Sequence, residues 1–530
     1  MCHIEHTKHR SGALSHGSSA SSRVTRARAR RPGSVVTAAG ALSLAAIVAL
    51  GAATGASAGA ARLKPFPSPD VTFIGHGNGP GYGMGQWGAF GYAALLHWTY
   101  GRILGHVYSN PSAPVSLETL SHAQDNSRLV NVVIEENDDT AMTVTSGSAF
   151  TFVTPSGTTL ATIRAGHAAR AVETAKNGAL TGTWELEKAA TCGASKWKVI
   201  AAGLTDPVAV PASVSATAPR RQLLTLCRRD GLDVTYRGKL EAFDYFGANT
   251  NGEHLERTIN IVPLEQYVAD VTPGESPSGW GTYGGATGSP QSEPWGFQAL
   301  EAQAVAVRSY VLYVIGHGGW YGYASICDDI CQYYARGIGF ESPLSNLAAT
   351  DTTGVYLQQS GRSAVTEYES SSGGYTETLS YGYPGGPTIF KAVPDAGDQV
   401  CIGGQETLGC NPWHTWTVSI PVATVEHAFT SVGTLESVKV TATDSSRRVE
   451  KIEIIGRDGT TSVSGGTFTS DFAGFFSTLF AVTDGPGATQ RAGTARVVLA
   501  SRAGVRPPVG PPRWAAPRPA SAEAFEEGHG

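Results

Sequence analysis

Residues 259–277 read INIVPLEQYVADVTPGESP, and the rest of the chain is organised around them. The β-branched run at residues 259–262 predicts a strand. The prolines around Glu275 predict that this strand ends in a rigid loop holding a single carboxylate. After a glycine-rich segment, residues 294–310 predict a helix with a proline in its first turn. A strand, an acidic loop and a helix together make a frame suited to catalysis.

The composition predicts a folded protein rich in loops and sheet. Charged residues are 16% of the 530 residues, and glycine is abundant at 65. These proportions favour loops and buried sheet over long exposed helices. A chain of this length is expected to form one large elaborated domain or two smaller ones, with tails.

The first 58 residues have the three parts of a signal peptide. Five arginines between positions 23 and 31 precede an apolar, charge-free run at residues 35–51, and Ala-Ser-Ala at residues 56–58 supplies small residues suited to cleavage. The run is short for a spanning helix, and an uncleaved anchor is the alternative. We therefore expect an extracytoplasmic protein, secreted or associated with the cell wall, with no stable membrane span after removal of the signal.

The net charge indicates which binding partners to expect, and the cysteine content indicates disulfides. Without residues 1–58 the chain carries 32 Lys and Arg against 43 Asp and Glu, a net charge of −11. So acidic a chain is not expected to bind nucleic acid. The remaining cysteines are even in number, which favours disulfides in an oxidising compartment. The simplest pairs are Cys192 with Cys227, and Cys401 with Cys410, which bracket a hairpin-sized loop.

Two further segments carry polar motifs. Residues 75–89 read GHGNGPGYGMGQWGA and contain a GxGxxG string, but no acidic residue follows about 20 positions on, so we do not expect a nucleotide site. His76 and Gln86 in this segment fit either a structural loop or a site. Residues 367–377 read EYESSSGGYTE, whose hydroxyls suit hydrogen bonding to a sugar or a tight turn. No Gly-x-Ser-x-Gly elbow is present, so a serine nucleophile is not expected.

Together these motifs resemble the stage II sporulation protein D family, whose relatives include the amidase enhancers. The matching patterns are Pro-Leu-Glu-x-Tyr-Val at residues 263–268, Pro-x-Glu-x-Pro at 273–277 and Ala-Gln-Ala-Val-Ala-x-Arg-Ser-Tyr at 302–310. Ser-Ser-Ser-Gly-Gly-x-Thr-Glu at residues 370–377 matches as well, and the segment at 75–89 matches apart from an internal insertion. The resemblance spans roughly residues 71–482 and implies a mixed α+β fold with a substrate cleft.

The expected organisation follows from the resemblance and the composition. Residues 1–58 are a signal peptide, 59–114 hold the glycine-rich motif and a helix, and 251–482 form the catalytic core of the resemblance. Residues 115–250, with Val-rich and Thr-rich stretches between turn residues, predict a β-rich insertion that is structural or binds part of an extended ligand. Residues 483–530 are rich in Pro, Ala, Gly and Arg without periodicity and predict a disordered tail.

The resemblance implies a lytic transglycosylase that cleaves peptide-free glycan strands of peptidoglycan. Glu275 would be the acid that protonates the glycosidic oxygen and then the base that helps the muramyl 6-hydroxyl close a 1,6-anhydro ring, so one carboxylate suffices. Burial beside Trp280 would raise its pKa. Glu301 stands where relatives commonly carry a basic residue. The residues expected to contact substrate are His76, Gln86, Gln303, Arg308, Ser371, Ser372 and Tyr375.

Alternatives stay open for several of these residues. Arg308 would otherwise be a structural ion-pair partner, and Gln303 a residue of the helix surface. The chemistry requires no cofactor, but the resemblance makes zinc possible at His317, Cys327 and Cys331; a local disulfide is the alternative use of the two cysteines.

Two other functions are compatible with the sequence. An amidase enhancer would bind the wall and stimulate a separate cell-wall amidase without cutting glycan. A secreted hydrolase of another polysaccharide would keep the carboxylate but add water. A binder should tolerate Glu275→Gln, whereas a lyase should not.

Overall fold

The computed structural model describes residues 64–121, 124, 128–247, 250, 252–285, 293–379, 388–403, 409–486 and 488. The predicted signal peptide and most of the predicted tail lie outside these residues. No helix in the described part of the chain is long and apolar enough to cross a membrane. The described residues from Lys64 onwards belong to one compact unit.

The described residues contain both helices and strands, which confirms the α+β prediction. The helices are α1 (Gln86–Ala94), α2 (Tyr100–Val107), α3 (Leu264–Glu275), α4 (Phe297–Gly316), α5 (Pro343–Asp351), α6 (Val422–Ala428) and α7 (Gly465–Asp471). The strands are β1 (Asp70–Gly75), β2 (Met84–Gly85), β3 (Ser116–Thr119), β4 (Leu129–Val133), β5 (Met142–Thr145), β6 (Phe150–Val153), β7 (Thr159–Ile163), β8 (Ala168–Lys176), β9 (Ala179–Ala189), β10 (Lys198–Leu204), β11 (Val208–Val210), β12 (Leu224–Cys227), β13 (Asp233–Tyr236), β14 (Lys239–Tyr245), β15 (Leu255–Pro263), β16 (Ile326–Cys327), β17 (Val355–Gln359), β18 (Arg362–Ser363), β19 (Tyr368–Glu369), β20 (Trp416–Pro421), β21 (Leu435–Thr443), β22 (Val449–Gly456), β23 (Gly459–Ser464) and β24 (Phe480–Val482).

The strand predicted at residues 259–262 lies inside β15, an interior strand of a seven-stranded sheet ordered β16-β4-β15-β14-β11-β6-β7. β15 pairs antiparallel with β14 and β4, both from residues 115–250. This segment is β-rich, as predicted, but the sheet crosses the expected boundary at residue 250. The strands of the six-stranded sheet, β10-β9-β8-β5-β12-β13, all come from residues 115–250. One apolar core joins both sheets to α3 and α4.

The prediction of a loop after β15 is wrong, because residues 264–275 form α3. Leu264, Tyr267, Val268 and Val271 are spaced as one helical stripe, and all four are fully buried. Pro273 lies inside the helix, in its last turn, where its missing N–H removes one intrahelical hydrogen bond, to the carbonyl oxygen four residues earlier. Glu275 is therefore the last residue of a helix rather than part of a proline-bracketed loop.

The glycine-rich segment at residues 75–89 and the serine-rich motif at residues 367–377 lie side by side, because β1 pairs with two strands from late in the chain. β1 lies between β20 and β24, and a second apolar core forms beneath this sheet and the β21-β22-β23 meander. After β1, the glycine-rich segment reaches β2, which pairs parallel with β19. Gly83 has a φ of 75°, and a Cβ there would lie 1.9 Å from the carbonyl oxygen of Glu367, so the two motifs approach more closely than a side chain would allow.

The cysteines form three disulfides, Cys192–Cys227, Cys327–Cys331 and Cys401–Cys410. The first joins β12 to the segment between β9 and β10, and the third brackets the hairpin-sized loop. Both pairs are those expected from the sequence. The second uses the two cysteines considered for zinc.

Candidate active site

Glu275 lies at the meeting point of α3, α1 and the segment after β16. Its side chain is buried, with 3% of the residue exposed. Gln86, the first residue of α1, donates from Nε2 to Oε2 of Glu275 over 3.2 Å. The backbone N–H of Tyr333 donates to Oε1 over 2.8 Å. Both carboxyl oxygens are therefore held, and the predicted site residue Gln86 contacts the predicted acid directly.

Burial raises the pKa of Glu275 to about 7. Hydrogen bonds from the Tyr333 backbone and the side chains of Gln86 and Tyr368 stabilise the carboxylate and oppose this shift, while the charge of Asp329 adds to it. Among the described residues, no other carboxylate hydrogen-bonds to Glu275. Near neutral pH the group is present in both its protonated and ionised forms, as a residue that acts first as an acid and then as a base requires.

Buried polar side chains support the carboxyl group from behind. Tyr267 donates from its hydroxyl to Oε1 of Gln332 over 2.8 Å, and Nε2 of Gln332 donates to the hydroxyl of Tyr368 over 3.1 Å. Tyr368 in turn bonds to Glu275. The sequence predictions did not include Gln332, Tyr333 or Tyr368. The first two follow Cys331 in the stretch Cys-Gln-Tyr-Tyr at residues 331–334, and the third lies in the serine-rich motif at residues 367–377, so membership of these motifs was the available signal.

An aromatic layer fixes the position of α1. Trp280 is 1% exposed and stacks on Phe90, with ring centroids 4.8 Å apart and planes 12° apart. It also lies 4.8 Å from the ring of Trp87, the neighbour of Gln86. This packing holds the start of α1, and with it the Gln86 amide, in place.

Arg308 does not contact Glu275 in this structure, and it forms the ion pair that was the alternative to a place at the substrate. Its guanidinium is fully buried and forms a two-bond pair with Glu265, at 2.7 Å and 2.5 Å. The remaining N–H groups bond to Thr352 and to the carbonyl oxygens of Val355 and Ala349. With five hydrogen bonds made inside the protein, no donor is left for a sugar.

Gln303 is close to the acid but is fully buried rather than on the helix surface. Its Oε1 accepts from the hydroxyl of Ser276, the residue after Glu275, over 3.1 Å. Its Nε2 is buried and has no hydrogen-bond partner among the described residues. Gln303 thus positions the end of α3 from the facing helix.

The serines of the serine-rich motif at residues 367–377 form hydrogen bonds to other side chains of the protein. Ser371 donates to Oδ1 of Asp398, and Ser372 donates to Oδ2 of Asp395, each over 2.7 Å. Both serines are fully buried and tie the motif to the segment of Asp395 and Asp398, and Oγ of Ser372 also accepts from the backbone N–H of Gly374 over 3.1 Å within the turn. Tyr375 is half-buried, and the guanidinium of Arg447 lies 5.5 Å from its ring.

His76 lies in a separate cluster with His414. Its Nδ1 is 2.9 Å from the carbonyl oxygen of His414. Nδ1 of His414 is itself 2.8 Å from Oδ2 of Asp398. The hydrogen bonds of His76, Ser371 and Ser372 therefore converge on the Asp395 and Asp398 segment and not on Glu275.

The predicted metal ligands do not fit a zinc ion. Cys327 and Cys331 share a disulfide, so neither sulfur is a thiolate. Nδ1 of His317 lies 2.8 Å from the carbonyl oxygen of Tyr313. Within the described residues, these three are not a group whose ligand atoms converge. The local disulfide is the arrangement that the structure contains.

Glu301 is a second buried carboxyl group of the same region. It is 7% exposed, its Oε2 has no partner in the described part of the chain, and burial raises its pKa to about 7, with a further contribution from the charge of Asp351. A basic residue would pair with nearby charges here, whereas this glutamate carries an unpaired charge above neutral pH.

Replacing Glu301 with glutamine is expected to stabilise the protein at pH 8 by up to about 3 kcal/mol and to change little at pH 5. The folded protein holds the proton more tightly than the unfolded chain, so wild-type stability falls as pH rises from about 4.5 to about 7. Glutamine carries no charge and avoids this loss. Denaturant unfolding at both pH values would measure the effect. The exposed Glu118→Gln is the matched control, and destabilisation by Glu301→Gln at pH 8 would show that Glu301 has a compensating partner.

Comparison with known families identifies part of the chain. Residues 253–365 match the family model SpoIID, stage II sporulation protein. The resemblance is confirmed over these residues, which include α3, α4, Glu275 and Tyr333. The match implies a cell-wall-related role. No curated protein and no solved structure matched the chain in the corresponding searches.

Proposed function

The chain carries a SpoIID domain over residues 253–365, and from this premise we propose that it is a lytic transglycosylase acting on peptide-free glycan strands of peptidoglycan. The observation that carries the proposal is Glu275, a buried carboxyl group with a pKa of about 7, held at both oxygens. Such a group supplies and recovers a proton at neutral pH.

The proposed reaction uses this one carboxyl group twice. Protonated Glu275 gives its proton to the glycosidic oxygen as the bond from that oxygen to muramyl C1 breaks. The muramyl 6-hydroxyl oxygen then bonds to C1, and its proton passes to the Glu275 carboxylate. The products are a 1,6-anhydromuramyl end and a free hydroxyl on the leaving sugar, with the enzyme returned to its starting form and no water consumed.

The proposed chemistry needs only one carboxyl group, because the substrate's own 6-hydroxyl is the nucleophile. Glycosidases that add water commonly use a carboxylate pair, with the second group acting as nucleophile or activating water. The groups that hydrogen-bond to Glu275 are the Gln86 amide, the Tyr333 N–H and the Tyr368 hydroxyl, which hold a carboxyl group but do not activate water, and the nearby Asp329 acts on Glu275 through its charge.

Burial of Glu275 favours a second candidate function, a non-catalytic wall-binding protein that stimulates a separate amidase. With 3% of the residue exposed, a glycan must displace covering side chains before it reaches the carboxyl group. A buried acid that merely supports the fold would need no such opening. Mass spectrometry of the soluble products formed from peptide-free strands separates the two functions, since only the lyase releases anhydromuramyl fragments.

Replacing Gln86 with alanine is expected to move the alkaline limb of the pH–rate profile upward by about one pH unit. The Gln86 amide stabilises the carboxylate, so its loss raises the pKa of Glu275 and keeps the acid protonated to higher pH. The initial rate of anhydromuramyl release, measured between pH 5 and pH 9, gives the shift. Gln298→Ala is the control, because Gln298 accepts from the backbone of Tyr100 instead. A profile unchanged from wild type would show that Gln86 does not influence the pKa of Glu275.

A further inference from the structure

A group of three potential metal ligands lies where the two large sheets meet. Glu173 is on β8 of the six-stranded sheet, Asp244 is on β14 of the seven-stranded sheet, and His254 immediately precedes β15. One ligand atom from each lies within 4.8 Å of the others. Nδ1 of His254 is 2.8 Å from Oδ2 of Asp244.

Two carboxylate oxygens at this point are buried without a hydrogen-bond partner in the described residues. They are Oε2 of Glu173 and Oδ1 of Asp244. Glu173 is 4% exposed, so its free oxygen is not solvated either. Leaving a buried carboxylate oxygen unbonded costs free energy, which a bound cation would recover.

A glycine on the strand next to Glu173 leaves space beside the three potential ligands. Gly182 on β9 has a φ of 70°, and its N–H donates to Oε1 of Glu173 over 2.6 Å. A Cβ at this position would come within 2.8 Å of Oδ2 of Asp244 and 2.9 Å of Cε1 of His254. Glycine therefore leaves open the space in front of two of the three ligands.

The surrounding charges are negative. Oε1 of Glu256 accepts from the backbone N–H of Glu173, and Oδ1 of Asp206 accepts from the backbone N–H of Asp244. Among the described residues, neither Glu173 nor Asp244 forms an ion pair with Lys or Arg. A cation is thus the missing partner.

We propose that Glu173, Asp244 and His254 bind a divalent transition-metal ion, zinc in particular, at the junction of the two large sheets. One imidazole nitrogen and two carboxylate oxygens are ligands that zinc accepts, with water in the fourth position. Calcium and magnesium prefer sets made only of oxygen. The bound ion would tie β8 to β14 and to the start of β15, the strand that leads into α3, so its role is to stabilise the insertion against the SpoIID domain.

Zinc titration of the purified full chain after treatment with EDTA tests the proposal. The N-terminal segment contains His3, His6 and His9, and histidine side chains in general take up zinc. The informative quantity is therefore the difference in stoichiometry between wild type and the Glu173→Gln and His254→Asn variants, measured by calorimetry and by metal analysis. The control is His167→Asn, an exposed histidine between β7 and β8.

We expect wild type and His167→Asn to bind one more zinc ion than the other two variants, or to bind it at least tenfold more tightly. We also expect zinc, but not calcium, to raise the unfolding midpoint of wild type by several degrees. Equal stoichiometry and affinity in all four proteins would overturn the proposal and assign the zinc to other residues. If both variants fail to fold, a folded wild type that binds no zinc, or binds it without a higher unfolding midpoint, would overturn it as well.

Discussion

Replacing Glu275 with glutamine is expected to lower the release of anhydromuramyl fragments from peptide-free strands by at least about 100-fold, the usual minimum contribution of a positioned acid. Glutamine has nearly the same shape and still accepts from Gln86 or Tyr333 through its carbonyl oxygen, but it holds no proton for the leaving oxygen. Wild-type activity should itself fall above about pH 7 as Glu275 loses its proton. Mass spectrometry of soluble products at pH 6, with equal amounts of folded protein, measures the change.

The matched control is Glu301→Gln. Glu301 lies on α4, is also buried and also has a pKa of about 7, but it has no hydrogen bond to Glu275 or Gln86 in the described residues. This variant should keep wild-type activity, so a general effect of removing a buried charge is separated from loss of the acid. Equal fragment release by wild type and Glu275→Gln would exclude Glu275 as the acid.

Two other product patterns would each select a different function. If neither wild type nor Glu275→Gln releases fragments and both retain the strands, the chain is a wall-binding protein. If wild type releases fragments with reducing ends in place of anhydro ends, water is the nucleophile, and the glycan hydrolase is the correct class.

Local patterns were enough to place β15 and α4. They failed where two local signals compete, as at residues 264–275. There the helical stripe of Leu264, Tyr267, Val268 and Val271 outweighs the prolines, because four fully buried side chains contribute more free energy than one proline in a last turn removes. Weighing the periodicity first would have predicted α3.

The features of the fold and the site that were not predicted depend on contacts between residues far apart in the sequence. Gln86 bonds to Glu275 across 189 positions, and only the shared family motif pointed to both. The partners of the two serines, Asp395 and Asp398, lie in an irregular segment with no periodic pattern, so nothing local marked them as buried. Residues 115–250 were predicted as β-rich, but strand propensity does not reveal that β4 and β14 flank β15, since pairing depends on the whole sheet.

Replacing Arg308 with alanine is expected to lower the free energy of unfolding by about 3–5 kcal/mol, the usual cost of removing one partner of a buried ion pair. The guanidinium is fully buried and joins α4 to Glu265 in the first turn of α3. It also bonds to the carbonyl oxygen of Ala349 near the end of α5, where a positive charge is favourable. Alanine leaves the Glu265 carboxylate with only the Gly354 N–H as donor among the described residues, and it removes the donor to the carbonyl oxygens of Val355 and Ala349. Denaturant unfolding measures the loss.

Variants of Arg308 also show whether this residue is structural or binds the substrate. Arg308→Lys keeps the charge but not the planar fork, so its stability should fall between those of wild type and Arg308→Ala. The exposed Arg457 pairs only with its neighbour Asp458, and Arg457→Ala should leave the unfolding midpoint unchanged. Because all five Arg308 donors are used within the protein, folded Arg308→Lys should need the same strand concentration for half-maximal activity as wild type. Wild-type stability in Arg308→Ala, with weaker strand binding, would instead place Arg308 at the substrate.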